Sequence, residues 1–190
     1  MTIQQRIGGA QGMRASGRLP VVGVMGSGSA SHGARAESLG VALAGLPVHL
    51  LTGGGRGVME AVSRGFASVP DRLGRVIAIL PAADEGGRPP EGYPNAWIEI
   101  PVQTHLSLRG AQGADPMSRN HINVLTSDLV LALPGGAGTS SEVRLALEYG
   151  KPVLAYLEDR EEIPGLPAGV QVASRLQDVV DFVRVGLASR

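Results

Sequence analysis

Three stretches of this 190-residue chain share one plan: an apolar run, a glycine-rich turn, then a segment with helical spacing. They are "GSGSASHG" at 26–33, "GGGRGVME" at 53–60 and "GGAGTSSE" at 135–142. Glycine lets the main chain approach a ligand closely and adopt positive φ, and a helix start offers free N–H groups and partial positive charge to an anion. Hydroxyl residues stand beside the turns: Ser27, Ser29, Ser31, Thr52, Thr139 and Ser140. The chemistry implied is the holding of a phosphate-bearing ligand. One such turn is equally explained by tight strand-to-helix geometry, so it is the agreement of three that carries the expectation. Gly26, Ser27, Gly53, Gly54, Gly55, Gly135, Gly136, Gly138, Thr139 and Ser140 are the candidate contacts. Thr139-Ser140-Ser141-Glu142 also reads as a capping box, in which hydroxyl and carboxylate satisfy N–H groups at a helix start. That pattern leaves open whether Glu142 only caps or also does chemistry.

These turns need elements to position them. Short apolar runs suited to buried strands, "LPVVGVMG", "VHLLTGGG", "RVIAILPA", "WIEIPV", "DLVLALPGG" and "KPVLAYL", alternate with helix candidates near 32–45, 57–68, 116–126, 138–149 and 175–188. Alternation predicts an α/β fold: a doubly wound, mostly parallel, Rossmann-like sheet with helices on both faces. In such a sheet all three turns fall on the carboxyl edge, where open α/β sheets bind ligands. Residues 1–18 lack periodicity and read as a flexible tail, with 19–190 as a single domain. The interval 81–96, "PAADEGGRPPEGYPNA", breaks the rhythm and reads as a long surface loop or partner-facing excursion. Asp115 before Pro116 reads as an N-cap with proline at the first helical position.

Several function classes are excluded or weakened. Seventeen basic and seventeen acidic residues cancel, so the overall balance points to neither nucleic acid nor a membrane surface. There is no cysteine, hence no thiol nucleophile and no thiolate metal site, and the four histidines have no metal-ligand spacing. No apolar run approaches the roughly 20 residues of a membrane helix, and the expected location is cytoplasmic. The dinucleotide fingerprint fits poorly, because Gly26-x-Gly28 is followed by Ser31 in place of the third glycine. No P-loop lysine follows any glycine turn.

The stretch "LTGGGRGVMEAV", with Arg119 and "LPGGAGTSSE" downstream, resembles the LOG (Lonely Guy) family, once mislabelled lysine decarboxylase. Pro134, Gly135, Gly136, Gly138, Thr139 and Glu142 stand in register with its hallmark, and the resemblance covers about residues 20–157. It implies a Rossmann-like homo-oligomer, a homodimer or homotetramer. The implied activity is hydrolysis of the N-glycosidic bond of a nucleoside 5′-monophosphate to free base and ribose 5-phosphate, with no cofactor required. On that resemblance Glu142 is the catalytic carboxylate and Arg119 its partner, Gly135, Gly136, Gly138 and Thr139 hold the phosphate, and Gly53, Gly54 and Gly55 wall the nucleotide. A carboxylate suits the positive charge that develops on the sugar, and an arginine suits a phosphate. The family's usual Met-His-Glu-Arg-Lys is replaced here by Met117-Ser118-Arg119-Asn120-His121. "SRNHINVLTSDLVLALPGG" is at least as similar to the molybdenum cofactor carrier branch, which binds a phosphorylated pterin without chemistry. That gives the alternative expectation: a carrier with the molybdenum cofactor as its ligand. Both readings expect a small phosphorylated ligand and neither nucleic acid nor membrane as partner.

Overall fold

The computed structural model describes residues 17–83 and 87–188. Seven strands form one parallel sheet: β1 (Val21–Met25), β2 (His49–Thr52), β3 (Val76–Leu80), β4 (Ile100–Gln103), β5 (Leu129–Ala132), β6 (Val153–Tyr156) and β7 (Gln171–Ala173). Their order is β4-β3-β2-β1-β5-β6-β7, with β1 at the centre. The five helices are α1 (Gly33–Ala44), α2 (Val58–Ala67), α3 (Asn120–Thr126), α4 (Ala137–Glu148) and α5 (Leu176–Ala188). The doubly wound fold expected from the sequence is the one observed.

Apolar packing sorts the helices into two layers. Leu39 and Leu43 of α1, Val62 and Phe66 of α2 and Val183 of α5 pack on one face of the sheet. Val124 of α3 and Val143 and Ala146 of α4 pack on the other. Where α1 crosses α2 the backbones nearly touch: a Cβ added at Gly40 would meet the Val62 carbonyl and lie 2.7 Å from the Phe66 nitrogen. Overpacking of that kind costs about 1–3 kcal/mol, so glycine is required for the crossing.

The chain leaves β1 toward β2 on one side and returns through β5 on the other, which makes the gap between β1 and β5 the switch point of the sheet. Register aligns Met25 with Ala132, so the first and third glycine turns emerge side by side.

Several expectations are corrected. β7 was not anticipated; its three residues grade from exposed to buried and give too short a period to detect. The "WIEIPV" strand forms as β4, yet all four of its residues are exposed, because an edge strand has one neighbour and no helix covers it. The helix expected from 116 begins only at Asn120; the Asp115 carboxylate does accept the Met117 N–H at 2.8 Å, but it closes a turn rather than capping a helix. Of the expected tail, residues 1–16 lie outside the described residues, and Arg18 is fixed by a two-pronged ion pair to Asp128 at 2.7 and 2.8 Å.

Candidate functional site

The three glycine turns are stitched into one surface by their own main chain. The Ser27 N–H donates to the Pro134 carbonyl at 3.0 Å, joining the first turn to the third. The Val58 N–H donates to the Ser27 carbonyl at 2.9 Å, joining the second to the first. The Ser27 hydroxyl holds its own turn by accepting from Ala30 N–H at 2.9 Å and Ser29 N–H at 3.2 Å. Over this surface lies a cavity of about 420 Å³.

The third turn does not start its helix as the sequence pattern suggested. Gly136 is the N-cap and no side chain caps the helix, so α4 begins three residues before Thr139 would have begun it. Flexible Gly135-Gly136 permits this early start. Thr139 and Glu142 then fall inside the helix, three residues apart on one face, and both line the cavity. The capping-box reading of Glu142 is therefore overturned. The first-turn N–H groups of α4 have no intrahelical acceptor, and with no capping side chain they stay available to a ligand.

Arg119 sits just before α3 and is 5% exposed. Its guanidinium lies against the Gly53 backbone, where a Cβ would sit 2.8 Å from Cζ. Nε and Nη1 are buried without a hydrogen-bond partner. Burial pushes the Arg119 pKa down, against the pull of Glu142 and of the Tyr93 phenol. An arginine side chain does not give up its proton in proteins, so the cation stays buried with Nε and Nη1 unpartnered, and an anion in the cavity would supply acceptors to them.

Glu142 is equally enclosed. Burial pushes its carboxyl pKa up, opposed by Arg119 and by the Asn123 amide, which donates to Oε1 at 2.9 Å. No direct ion pair joins Arg119 to Glu142 among the described residues. Asn123 was not foreseen from the sequence. Its only signal was its place on α3, four residues beyond Arg119.

Gly26, Ser27, Gly53, Gly136, Gly138, Thr139, Arg119 and Glu142 thus meet around one cavity. Four other candidates lie off its wall. Gly54 turns toward Ala78 and Leu80 of β3, Gly55 lies beneath Tyr93 and Met59, and Gly135 lies beneath Thr139. Ser140 is buried with its hydroxyl unpartnered, facing the Gly165 side of α4.

The 81–96 loop is more than a surface excursion. Its Asn95 N–H donates to the Gly54 carbonyl and its side-chain amide to the Gly55 carbonyl, both at 2.8 Å. This anchors it to the second glycine turn and carries Tyr93 to the cavity wall, where Arg109 and Asn120 also stand. An aromatic within a proline-rich stretch was the only hint of Tyr93 in the sequence. His121 is taken up elsewhere: its Nδ1 meets the Tyr149 hydroxyl at 2.6 Å. No cluster of three metal-ligating side chains occurs among the described residues.

The family model for the SLOG cluster4 family matches residues 19–177. The chain belongs to that LOG-like family. An uncharacterized protein of Archaeoglobus fulgidus is 32% identical over 133 residues, 70% of this chain and 72% of that protein. Among solved structures, the molybdenum cofactor binding protein of Rippkaea orientalis is 33% identical with a TM-score of 0.70, covering 90% of this SLOG-family chain and 98% of that one. The molybdenum cofactor carrier protein of Chlamydomonas reinhardtii is 30% identical with a TM-score of 0.67, covering 90% and 99%. DNA processing protein A of Helicobacter pylori, described as binding single-stranded DNA, shares the fold at a TM-score of 0.66 over 88% of this chain and 81% of its own. At 18% identity that likeness concerns the fold alone. No helix among the described residues is long and apolar enough to cross a membrane.

Proposed function

We propose that this SLOG-family protein binds and holds a small phosphorylated heterocycle, with the molybdenum cofactor as its cargo. The observation that carries the reading is the buried Arg119 guanidinium with two unpartnered nitrogens, set on the same cavity as the uncapped start of α4. Helix starts and guanidinium groups both donate to phosphate oxygens. A cavity of about 420 Å³ falls within the range of small-molecule sites. The likeness to the Rippkaea and Chlamydomonas proteins supports the pterin class of ligand. On this reading the protein acts in the cytoplasm as a homo-oligomer and has no nucleic-acid partner.

Burial pushes the Glu142 carboxyl pKa up, while Arg119 and the Asn123 amide pull it down. A carboxyl of raised pKa suits a hydrogen bond to a bound ring and equally suits a general acid. The second reading, a nucleoside 5′-monophosphate phosphoribohydrolase, is favoured by one observation: Arg119 and Glu142 share the cavity, and a phosphate over Arg119 would leave Glu142 free to act on the sugar.

The test is an anaerobic titration with molybdenum cofactor released from a molybdoenzyme, run beside an assay for base release from a panel of nucleoside 5′-monophosphates. Saturable cofactor binding with no base released supports the carrier reading. Base release without cofactor binding replaces it with the hydrolase.

A further inference from the structure

Beside the Arg119 guanidinium the cavity wall carries a second device, Tyr93 with Arg109. Tyr93 is fixed there by its strap. Asn95 pins the following residues to the Gly54 and Gly55 carbonyls at 2.8 Å, and the Tyr93 N–H donates to the Pro90 carbonyl at 3.1 Å. The tip of its ring packs on bare backbone: Cζ and the hydroxyl lie 2.7 Å from where a Cβ on Gly55 would be. Any larger residue at Gly55 would push Tyr93 out of place. The phenol is therefore a rigid wall.

Arg109 faces it under the opposite conditions. Its guanidinium carbon stands 5.9 Å from the Tyr93 ring centroid, on the cavity wall, and it makes no ion pair among the described residues. The residue is exposed and sits on extended backbone just before a single 3-10 turn at Gly110–Gln112. A flat ring sandwiched between the two needs about 7 Å, twice a contact distance of about 3.5 Å. An outward shift of Arg109 by about 1 Å provides that spacing.

We propose that Tyr93 and Arg109 form a clamp for the flat ring of the ligand, with the phenol as the fixed jaw and the guanidinium as the movable one. The inference rests on the reading of this cavity as an anion site and adds what that reading leaves open, namely how the ring is selected. Aromatic and guanidinium planes both stack on heterocycles, and the guanidinium adds attraction to an electron-rich ring. The ligand class is narrowed to phosphorylated planar heterocycles, and a sugar phosphate lacking the ring gains nothing from the clamp.

Calorimetric titration of the full chain with GMP, ribose 5-phosphate and inorganic phosphate tests this. Wild type should bind GMP about tenfold or more tighter than ribose 5-phosphate, in line with the stacking of one base on an aromatic side chain. Tyr93→Ala should bring the two affinities together, and Tyr93→Phe should restore the ring preference. Arg109→Ala changes an exposed residue, so it reports even if Tyr93→Ala disturbs the strap; it should reduce the ring preference several-fold. Equal affinity of wild type for GMP and ribose 5-phosphate overturns the clamp but leaves the anion site standing. So does a ring preference that survives in both alanine variants, or one that Tyr93→Phe fails to restore. Failure of wild type to bind any of the three removes the anion-site reading and the clamp with it.

Discussion

Two helical starts lie close together on the carboxyl edge of the sheet and were built in opposite ways. At Asp159–Glu162 the side chains complete a capping box: the Asp159 carboxylate accepts the Glu161 N–H at 2.9 Å, and the Glu162 carboxylate accepts the Asp159 N–H at 3.5 Å and also the Glu158 N–H at 2.7 Å. Arg35 adds ion pairs to Glu158 and Glu162 at 2.9 and 3.1 Å. Donors and charges there are used internally, and the segment is a structural corner. At Gly136–Glu142 the chain also offers a hydroxyl and a carboxylate three residues apart, yet neither caps. No side chain caps α4, and on the same cavity the buried Arg119 guanidinium keeps Nε and Nη1 without hydrogen-bond partners. The same sequence logic therefore marks a finished joint in one place and, on the proposed function, a binding site in the other. What separates them is whether glycine moves the helix start upstream of the polar residues.

The most disruptive way to break this contrast is to remove the Arg119 cation. Arg119→Met should lower affinity for a phosphorylated ligand by about 100-fold, as expected for loss of a buried charge-assisted contact. It should at the same time raise the melting temperature of the ligand-free protein, because a desolvated charge disappears. Calorimetry and thermal denaturation of the same sample read both effects. An unchanged affinity would disconnect Arg119 from the ligand.

Gly53→Ala acts on the same cation from the other side. The new methyl group collides with the guanidinium. Affinity should fall about tenfold with a stability loss of about 1–3 kcal/mol, and the fold should persist, since no positive φ is demanded there.

A smaller effect sharpens the comparison directly. Asp159→Ala should cost about 1 kcal/mol of stability through loss of its cap and leave ligand affinity unchanged. Thr139→Ala should do the reverse, with less stability lost than at Asp159 and weaker ligand binding. Chemical denaturation of the two variants decides this, and equal stability losses would show that Thr139 caps after all.

The smallest effect is a pH dependence. The folded pKa of Glu142 is raised, so between its unfolded and folded values the native state binds the extra proton. Stability from this group is fully present below the unfolded pKa and is lost as pH rises through the folded one. Glu142→Gln carries no such titration. The stability of wild type relative to Glu142→Gln should therefore decline from acidic to neutral pH, by an amount that melting curves at both conditions measure. A constant difference would mean that folding does not raise the Glu142 pKa.

Much of this was legible in the chain. Six of the strands and all five helices follow from hydrophobic period alone, because parallel strands covered on both faces must be apolar and their crossover helices must carry an apolar stripe. The exception is instructive: β7 is too short for any period, and β4 shows that apolar residues at the sheet edge need not be buried. In the site, the glycine turns and Arg119 were visible through their types and spacing. Tyr93, Arg109 and Asn123 were not, since each reaches the cavity from a segment whose own residues do not encode a direction. Tyr93 arrives only through hydrogen bonds from Asn95 to a turn 40 residues away.

The sequence by itself determined the order of elements, the edge on which the glycine turns would gather and the family to which the chain belongs. Those are properties of local composition and period. Only the tertiary structure decided that Glu142 lies within its helix, that Arg119 is buried with Nε and Nη1 unpartnered and that a proline-rich loop brings Tyr93 to the cavity wall. Each of these depends on which groups are left unsatisfied once distant segments have packed, and satisfaction of hydrogen bonds and charges is a property of the assembled fold.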